Sequence, residues 1–309
     1  IASVYTDVVQ GTIMIISAIL IFFTALAAVD GGLSGIATTM FLDDPESIGS
    51  FGTLGMIGCL SWYFVFAVGV SGQPHLITKL MMTRNVSQAR QTVPLSMISY
   101  GVSTLLISGI GLAMRTLVLQ GIHPSPAKAD DVAALFLQSY AHPVLAGVVI
   151  AGLFAAVMST ADAFLNIGVA AIVHDIPKAI GRTLFKNELY WSRIMTIILA
   201  AVAIVFAIYS SKEMVALLGA FGFSTFAAAI VPTIAIGLNW KRATATAANV
   251  AMAVSLTLIF FLQLGNINIP YGIDKGAIAM LVSLVLFFSI SFFSKPPQID
   301  PYIDELMDL

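Results

Sequence analysis

Two carboxylates lie among residues that are almost all apolar: Asp162, in the run Ala155–Ala163, and Asp7, in the run that opens at Val4. An ionisable side chain in a bilayer costs about 3 kcal/mol or more and usually marks an ion path. At ~1.5 Å rise per residue, the two fall in the same half of their helices and approach each other in depth. Asp7 also fits an interfacial carboxylate near a helix start, where the dipole favours it. Asp162 also fits a hydrogen-bonded acid between helices. Beside Asp162, Ala156, Ser159 and Thr160 are spaced i, i+3, i+4 and share one helix face. Two hydroxyls and nearby carbonyls are oxygen ligands of the kind hard cations take. The same face also suits small-residue packing with hydroxyls bonded back to carbonyls.

A third element is Gly69-Val70-Ser71-Gly72-Gln73-Pro74-His75 inside another apolar run. Proline has no amide hydrogen and clashes with the preceding turn. In lipid, freed backbone groups must find partners, so a break belongs where it lines a cavity or is buried in protein. Discontinuous helices near the midplane are how many secondary transporters bind ions and solutes; a simple proline kink is the plainer reading. His75, His123, His142 and His174 show no metal-site spacing, and the single cysteine, Cys59, excludes a disulfide scaffold.

These residues must be positioned by membrane helices. The 309-residue chain is 59% apolar and 10% charged, against about 25% charged in soluble domains. Eight segments reach the roughly 20 apolar residues of a membrane span: Val4–Ala28, Leu54–Met81, Val93–Leu119, Pro143–Val173, Ile194–Tyr209, Val215–Leu238, Ala243–Leu264 and Ala277–Phe293. There is no basic stripe for nucleic acid, and no alternation of the membrane-barrel kind. The fold class is therefore all-α integral membrane. A short outer helix is predicted around Asp131–Tyr140.

Lys79, Arg84, Arg90, Lys178, Arg182, Lys186, Arg193, Lys241, Arg242 and Lys295 fall on one set of loops. Arg115, Lys128, Lys212 and Lys275 fall on the other, with Asp30, Asp43, Asp44, Glu46, Asp130, Asp131, Glu213 and Asp274. The positive-inside rule makes the first set cytoplasmic, which puts the C-terminus in the cytoplasm of a plasma (inner) membrane protein. The acidic tail reads as a solvated end. Ile1 enters an apolar span with no charged leader, so helices are expected to precede it.

Tyr5-Thr6-Asp7-Val8-Val9-Gln10, Gly72-Gln73-Pro74-His75 with its basic inner loop, and Ala155-Ala156-Val157-Met158-Ser159-Thr160 occur in that order. They resemble the motifs of the fifth, broken sixth and eighth core helices of the sodium/solute symporter family, closest to its proline branch. The resemblance implies a partial LeuT-like inverted-repeat fold. Residues 1–239 would hold core helices five to ten, and residues 240–309 two peripheral helices and a short cytoplasmic tail. Core helices one to four would be absent, leaving half of each site.

By the resemblance, sodium is held by the Ala156 carbonyl and the Ser159 and Thr160 hydroxyls. Asp7 matches an aspartate used in a second ion site or in coupling. The other positions of that second site are Asp162 and Ala163, so the site is expected to be altered. Phe66 and Val70 stand where the proline branch has tryptophan and tyrosine, so proline is not implied as the solute. With Gln73, Pro74 and the stretch Phe221–Phe226, they are candidates for lining the solute pocket. The expectation is sodium-coupled symport of a small organic solute, an amino acid such as proline or an organic acid, by alternating access. Sodium is the coupling ion, with no other cofactor and no nucleic-acid partner. A symporter-like sensory module and a proton-coupled transporter using Asp7 and Asp162 are the rivals. No nucleophile–base pair, metal cluster or phosphate loop suggests an enzyme.

Overall fold

The computed structural model describes residues 2–181, 185–209 and 215–307. Arg182, Lys212 and Glu213, used above for orientation, lie outside them. The described residues are helical with turns, and eight helices are long and apolar enough to cross a membrane. Each overlaps one of the eight spans read from the sequence, with ends that differ at several of them. In order, the helices are α1 Ala2–Ala28, α2 Gly32–Asp43, α3 Gly55–Gly69, α4 Pro74–Met81, α5 Val86–Leu119, α6 Val132–Tyr140 and α7 Pro143–Ala170. They continue with α8 Ile176–Ala179, α9 Glu188–Tyr209, α10 Val215–Ile230, α11 Ala245–Leu264, α12 Lys275–Phe293 and α13 Pro301–Met307.

The chain forms two compact units. The first holds residues 1–48 and 83–214. Its core is built from stripes at helical spacing: Ile21, Ala25 and Val29 of α1 meet Ile110, Ala113, Met114 and Leu117 of α5, with Phe136 and Leu137 of α6 and Val149 of α7. Lipid tails are as apolar as leucine, so helices here associate by close fit rather than by escape from water. The contact of α1 with α7 shows this. Ser17 and Gly152 meet so closely that a Cβ at Gly152 would overlap the Ser17 side chain. The Ser17 hydroxyl donates to Val148 O at 3.0 Å.

The second unit holds residues 49–82 and 215–309. There α11 and α12 form an antiparallel pair that meets along mostly small residues at four-residue spacing. Ala247, Ala251 and Ser255 are buried on one, and Ala279, Ser283, Phe287 and Ser291 on the other. The Ser283 hydroxyl donates to Ala251 O at 3.4 Å.

Several elements depart from the sequence reading, each for a local reason. α5 starts at Val86 rather than Val93, because Asn85 caps it by accepting from Gln88 N at 2.8 Å. α2 lies between the first two apolar spans, where hydropathy predicts a connecting loop. It follows a turn at Gly31 and Gly32, both with positive φ, and is tied to the end of α5 by the Arg115–Asp43 ion pair at 2.8 Å. α10 runs into a wide π turn over Val231–Ile236, where Pro232 cannot donate to the regular ladder and Gly237 N bonds Pro232 O at 3.0 Å instead. The tail, read as merely solvated, carries α13, whose Asp304 pairs with Lys241 at 2.7 Å. That exposed pair is worth at most about 1 kcal/mol.

The Ser17–Gly152 contact carries a first prediction. Gly152→Val should force α1 and α7 apart and cost about 1–3 kcal/mol, measured as earlier thermal unfolding in detergent. Gly147→Val should cost little, since nothing lies within 4 Å of a Cβ at that position.

Candidate functional site

In the first unit the candidate ion ligands lie along one helix, α7. Ala156 is half-buried and lines a small cavity of about 40 Å³ with Met14, Ser17, Gly152 and Leu153. Ser159 is half-buried, while Thr160 and Asp162 are exposed. Sequence reasoning missed Asn166, whose Nδ2 donates to Asp162 Oδ1 at 3.2 Å. The signal was present: an i, i+4 pair of polar side chains inside an apolar span. Ser159, Asp162 and Asn166 thus extend the oxygen-bearing face along α7. The backbone of Asp7 belongs to α1; its side chain lies outside the described residues.

In the second unit the break is explicit. α3 stops at Gly69, a 3-10 turn covers Val70–Gly72, Gln73 is extended at φ −80 and ψ 112, and α4 restarts with Pro74 as its first residue. This is a start position, where proline's missing N–H costs nothing and its fixed φ suits the helix. The proline therefore opens a second helix rather than kinking a continuous one. Gln73 N bonds Val70 O at 3.3 Å, and Leu76 N and Ile77 N both bond Gln73 O at 3.1 Å.

The four candidate solute residues part company here. Phe66 and Val70, four apart on α3 and its turn, are 38% and 43% exposed, so they share an open face. Phe66 is stacked between Trp62 and Phe223, with ring centroids 5.8 and 4.7 Å away, which makes that face an aromatic wall. Pro74 is half-buried. Gln73 is buried and turned toward α10, donating from Nε2 to Gly69 O and Phe223 O. Within the stretch Phe221–Phe226, Phe223 stacks on Phe66.

Against the middle of α3 a polar knot has formed that sequence reasoning took for loop charge. Asp274 caps α12, its Oδ1 accepting from Gly276 N at 2.8 Å, from Ala277 N at 3.2 Å and from the buried Ser224 hydroxyl of α10 at 3.3 Å. Asp274 N in turn donates to Ser61 Oγ of α3 at 3.0 Å. An Asp directly before Lys-Gly-Ala at the head of an apolar run is a readable cap signal; its partners on α3 and α10 are not. Burial pushes the Asp274 carboxyl above its ordinary range. The bonds from Gly276, Ala277 and Ser224 and the charge of Lys275 pull the other way without cancelling it.

Eight membrane-spanning helices among the described residues, one of them broken, define a multi-pass membrane protein. The profile described as the sodium:solute symporter family matches residues 1–255, and the chain belongs to that family. It is 28% identical over 271 residues to a sodium/pantothenate symporter of Haemophilus influenzae, covering 85% of this chain and 54% of that protein. It is 25% identical over 303 residues to a high-affinity proline transporter of Bacillus subtilis (95% and 61%) and 27% over 308 residues to a sodium/proline symporter of Staphylococcus aureus (94% and 58%). The chain thus spans little more than half the length of these relatives. Its fold matches that of a sodium-coupled sialic acid symporter, solved substrate-bound and outward-open, with a TM-score of 0.73 at 20% identity. The match covers 96% of this chain and 63% of that one. The LeuT-like fold expected from the motifs is the fold observed.

The knot gives a second prediction. Asp274→Asn keeps an Oδ1 acceptor and removes the buried charge, whereas Asp274→Ala loses the cap and should cost about 1 kcal/mol. The raised carboxyl means that the folded state binds its proton more tightly than the unfolded chain. Stability from this group is therefore present at low pH and lost as pH rises through the raised value. Thermal unfolding should show the native protein gaining on Asp274→Asn as pH falls from 7 toward 4.

Proposed function

We propose that this protein takes part in sodium-coupled symport of a small organic solute by alternating access. The observation that carries the reading is the explicit break at Gly69–Pro74 in a member of the sodium:solute symporter family, with an open aromatic face immediately before it. Sodium is cargo here, held by the Ala156 carbonyl and the Ser159 and Thr160 hydroxyls. The half-buried and exposed placement of these residues on α7 suits a ligand shared with another helix. Asp162, held by Asn166, and Asp7 are assigned to a second ion site or to coupling.

On this reading residues 1–239 are core helices five to ten, and residues 240–309 two peripheral helices and a cytoplasmic tail. The ten basic residues of one loop set support a cytoplasmic C-terminus by the positive-inside rule. The solute lies against Phe66 and Val70, beside the break at Pro74. A phenyl ring and an isopropyl group there offer no hydrogen bond, so the solute presents an apolar part to this wall. The proline, pantothenate and sialic acid handled by similar proteins are the first to try. Coupling requires sodium and solute to prefer the same state, each then raising the other's affinity. Each inward positive charge gains about 2.3 kcal/mol at 100 mV.

The test is radiolabelled uptake into proteoliposomes with and without an inward sodium gradient. One solute should accumulate only with the gradient. Ser159→Ala should raise the sodium concentration for half-maximal uptake about tenfold, the equivalent of one ligand worth about 1.4 kcal/mol. An unchanged sodium dependence would remove Ser159 from the site, and binding without accumulation would favour a sensory module.

A further inference from the structure

Gln73 is 1% exposed. Its side-chain amide carries two N–H donors, and its nitrogen bonds two backbone carbonyls: Gly69 O at 3.2 Å within the break, and Phe223 O at 3.1 Å on α10. The first bond has a clear cause. In a regular helix Gly69 O would accept from the backbone N–H of Gln73, four residues on. Here that N–H is turned to Val70 O, and the side chain of the same residue supplies a donor in its place. The second bond carries the break onto another helix.

The surrounding contact is backbone-close. A Cβ at Gly69 would stand 2.7 Å from Ala227 Cβ, and one at Gly72 would stand 2.8 Å from Val231 Cγ2. Val231 opens the π turn of α10, so the irregular stretch of the broken helix rests on the irregular stretch of its neighbour. A second tether joins the same two helices through Ser61, Asp274 and Ser224. Ser224 adjoins Phe223, so both tethers hold α10 at one point. Val231, packed on Gly72, lies about 12 Å from Phe223 along α10 at 1.5 Å per residue; the strap and that close contact together oppose rotation as well as separation.

We propose that Gln73 is a positioning residue, the hydrogen-bonded strap that makes the broken helix and α10 move as one body. The proposal rests on the transport reading only for its functional consequence. The wall of Trp62, Phe66 and Phe223 keeps its geometry while the protein changes state, and Gln73 does not touch the solute.

The test uses Gln73→Met, which keeps the length and loses both donors. Amide hydrogen exchange of the purified protein in lipid nanodiscs should speed up at least about tenfold, as expected from two lost hydrogen bonds, in both residues 65–72 and residues 223–230. Residues 247–259 should be unchanged. Faster exchange in 65–72 alone, or in neither segment, would overturn the strap. In sodium-driven uptake of radiolabelled proline or pantothenate, the maximal rate should fall about tenfold while KM stays within about threefold. A raised KM at unchanged rate would make Gln73 a solute contact and overturn the proposal. Absence of uptake by the native protein refutes the transport reading, and the exchange result still decides the strap. If Gln73→Met fails to reach the membrane, Gly69→Ala, which wedges the same two helices apart at Ala227, is judged by the same readouts and the same outcomes.

Discussion

A lipid bilayer offers no water to a backbone carbonyl, so every departure from a regular helix must be satisfied from within the protein. The structure depends on this constraint most at Gly69–Pro74. The 3-10 turn and the extended Gln73 remove regular helical bonds, and the Gln73 side chain, the glycine contacts and α10 supply what is lost. The break could not exist in an isolated helix. Its cost is met by the neighbouring helix, which is itself irregular where the two touch.

The same constraint explains where polar groups have gathered. Ser17 bonds Val148 O, and Ser283 bonds Ala251 O. These hydroxyls sit between helices that small residues have brought close, where an unpaired hydroxyl would be costly. Asp274 stands at the end of a span, where one carboxylate oxygen caps α12 and reaches α10. On α7, Thr160 and Asp162 are exposed on a helix otherwise rich in apolar residues, and Asp162 accepts from Asn166 one turn on.

Much of this was legible in the residues. Composition and run length gave all eight spans, since a helix must hide its backbone and twenty apolar residues leave few alternatives. Pro74 between Gly72 and a new apolar run marked the break, because proline's chemistry is local. The cap at Asn85 and the turn at Gly31–Gly32 that admit longer or extra helices were also local, but they lay in polar stretches that hydropathy reads as loop. The partners of Gln73 and Asp274 were not legible. Gln73 meets Phe223 across 150 positions of sequence, and Ser61 meets Asp274 across 213. No spacing rule links residues so far apart. Of the solute candidates chosen by motif, Phe66 and Val70 prove open and Gln73 closed, a distinction set by which way α10 lies against the break.

On the proposed reading, the open face of Phe66, Val70 and Ser71 just before the break is reached by water at membrane depth. The most direct measurement is labelling by a membrane-impermeant thiol reagent of Val70→Cys and Ser71→Cys, each in a Cys59→Ser background, with the exposed loop position Ser125→Cys as the control. The account predicts labelling at 70 and 71, slowed by sodium with a bound solute. Labelling at 125 with none at 70 or 71 under any condition would place the segment in lipid or tight packing and contradict it.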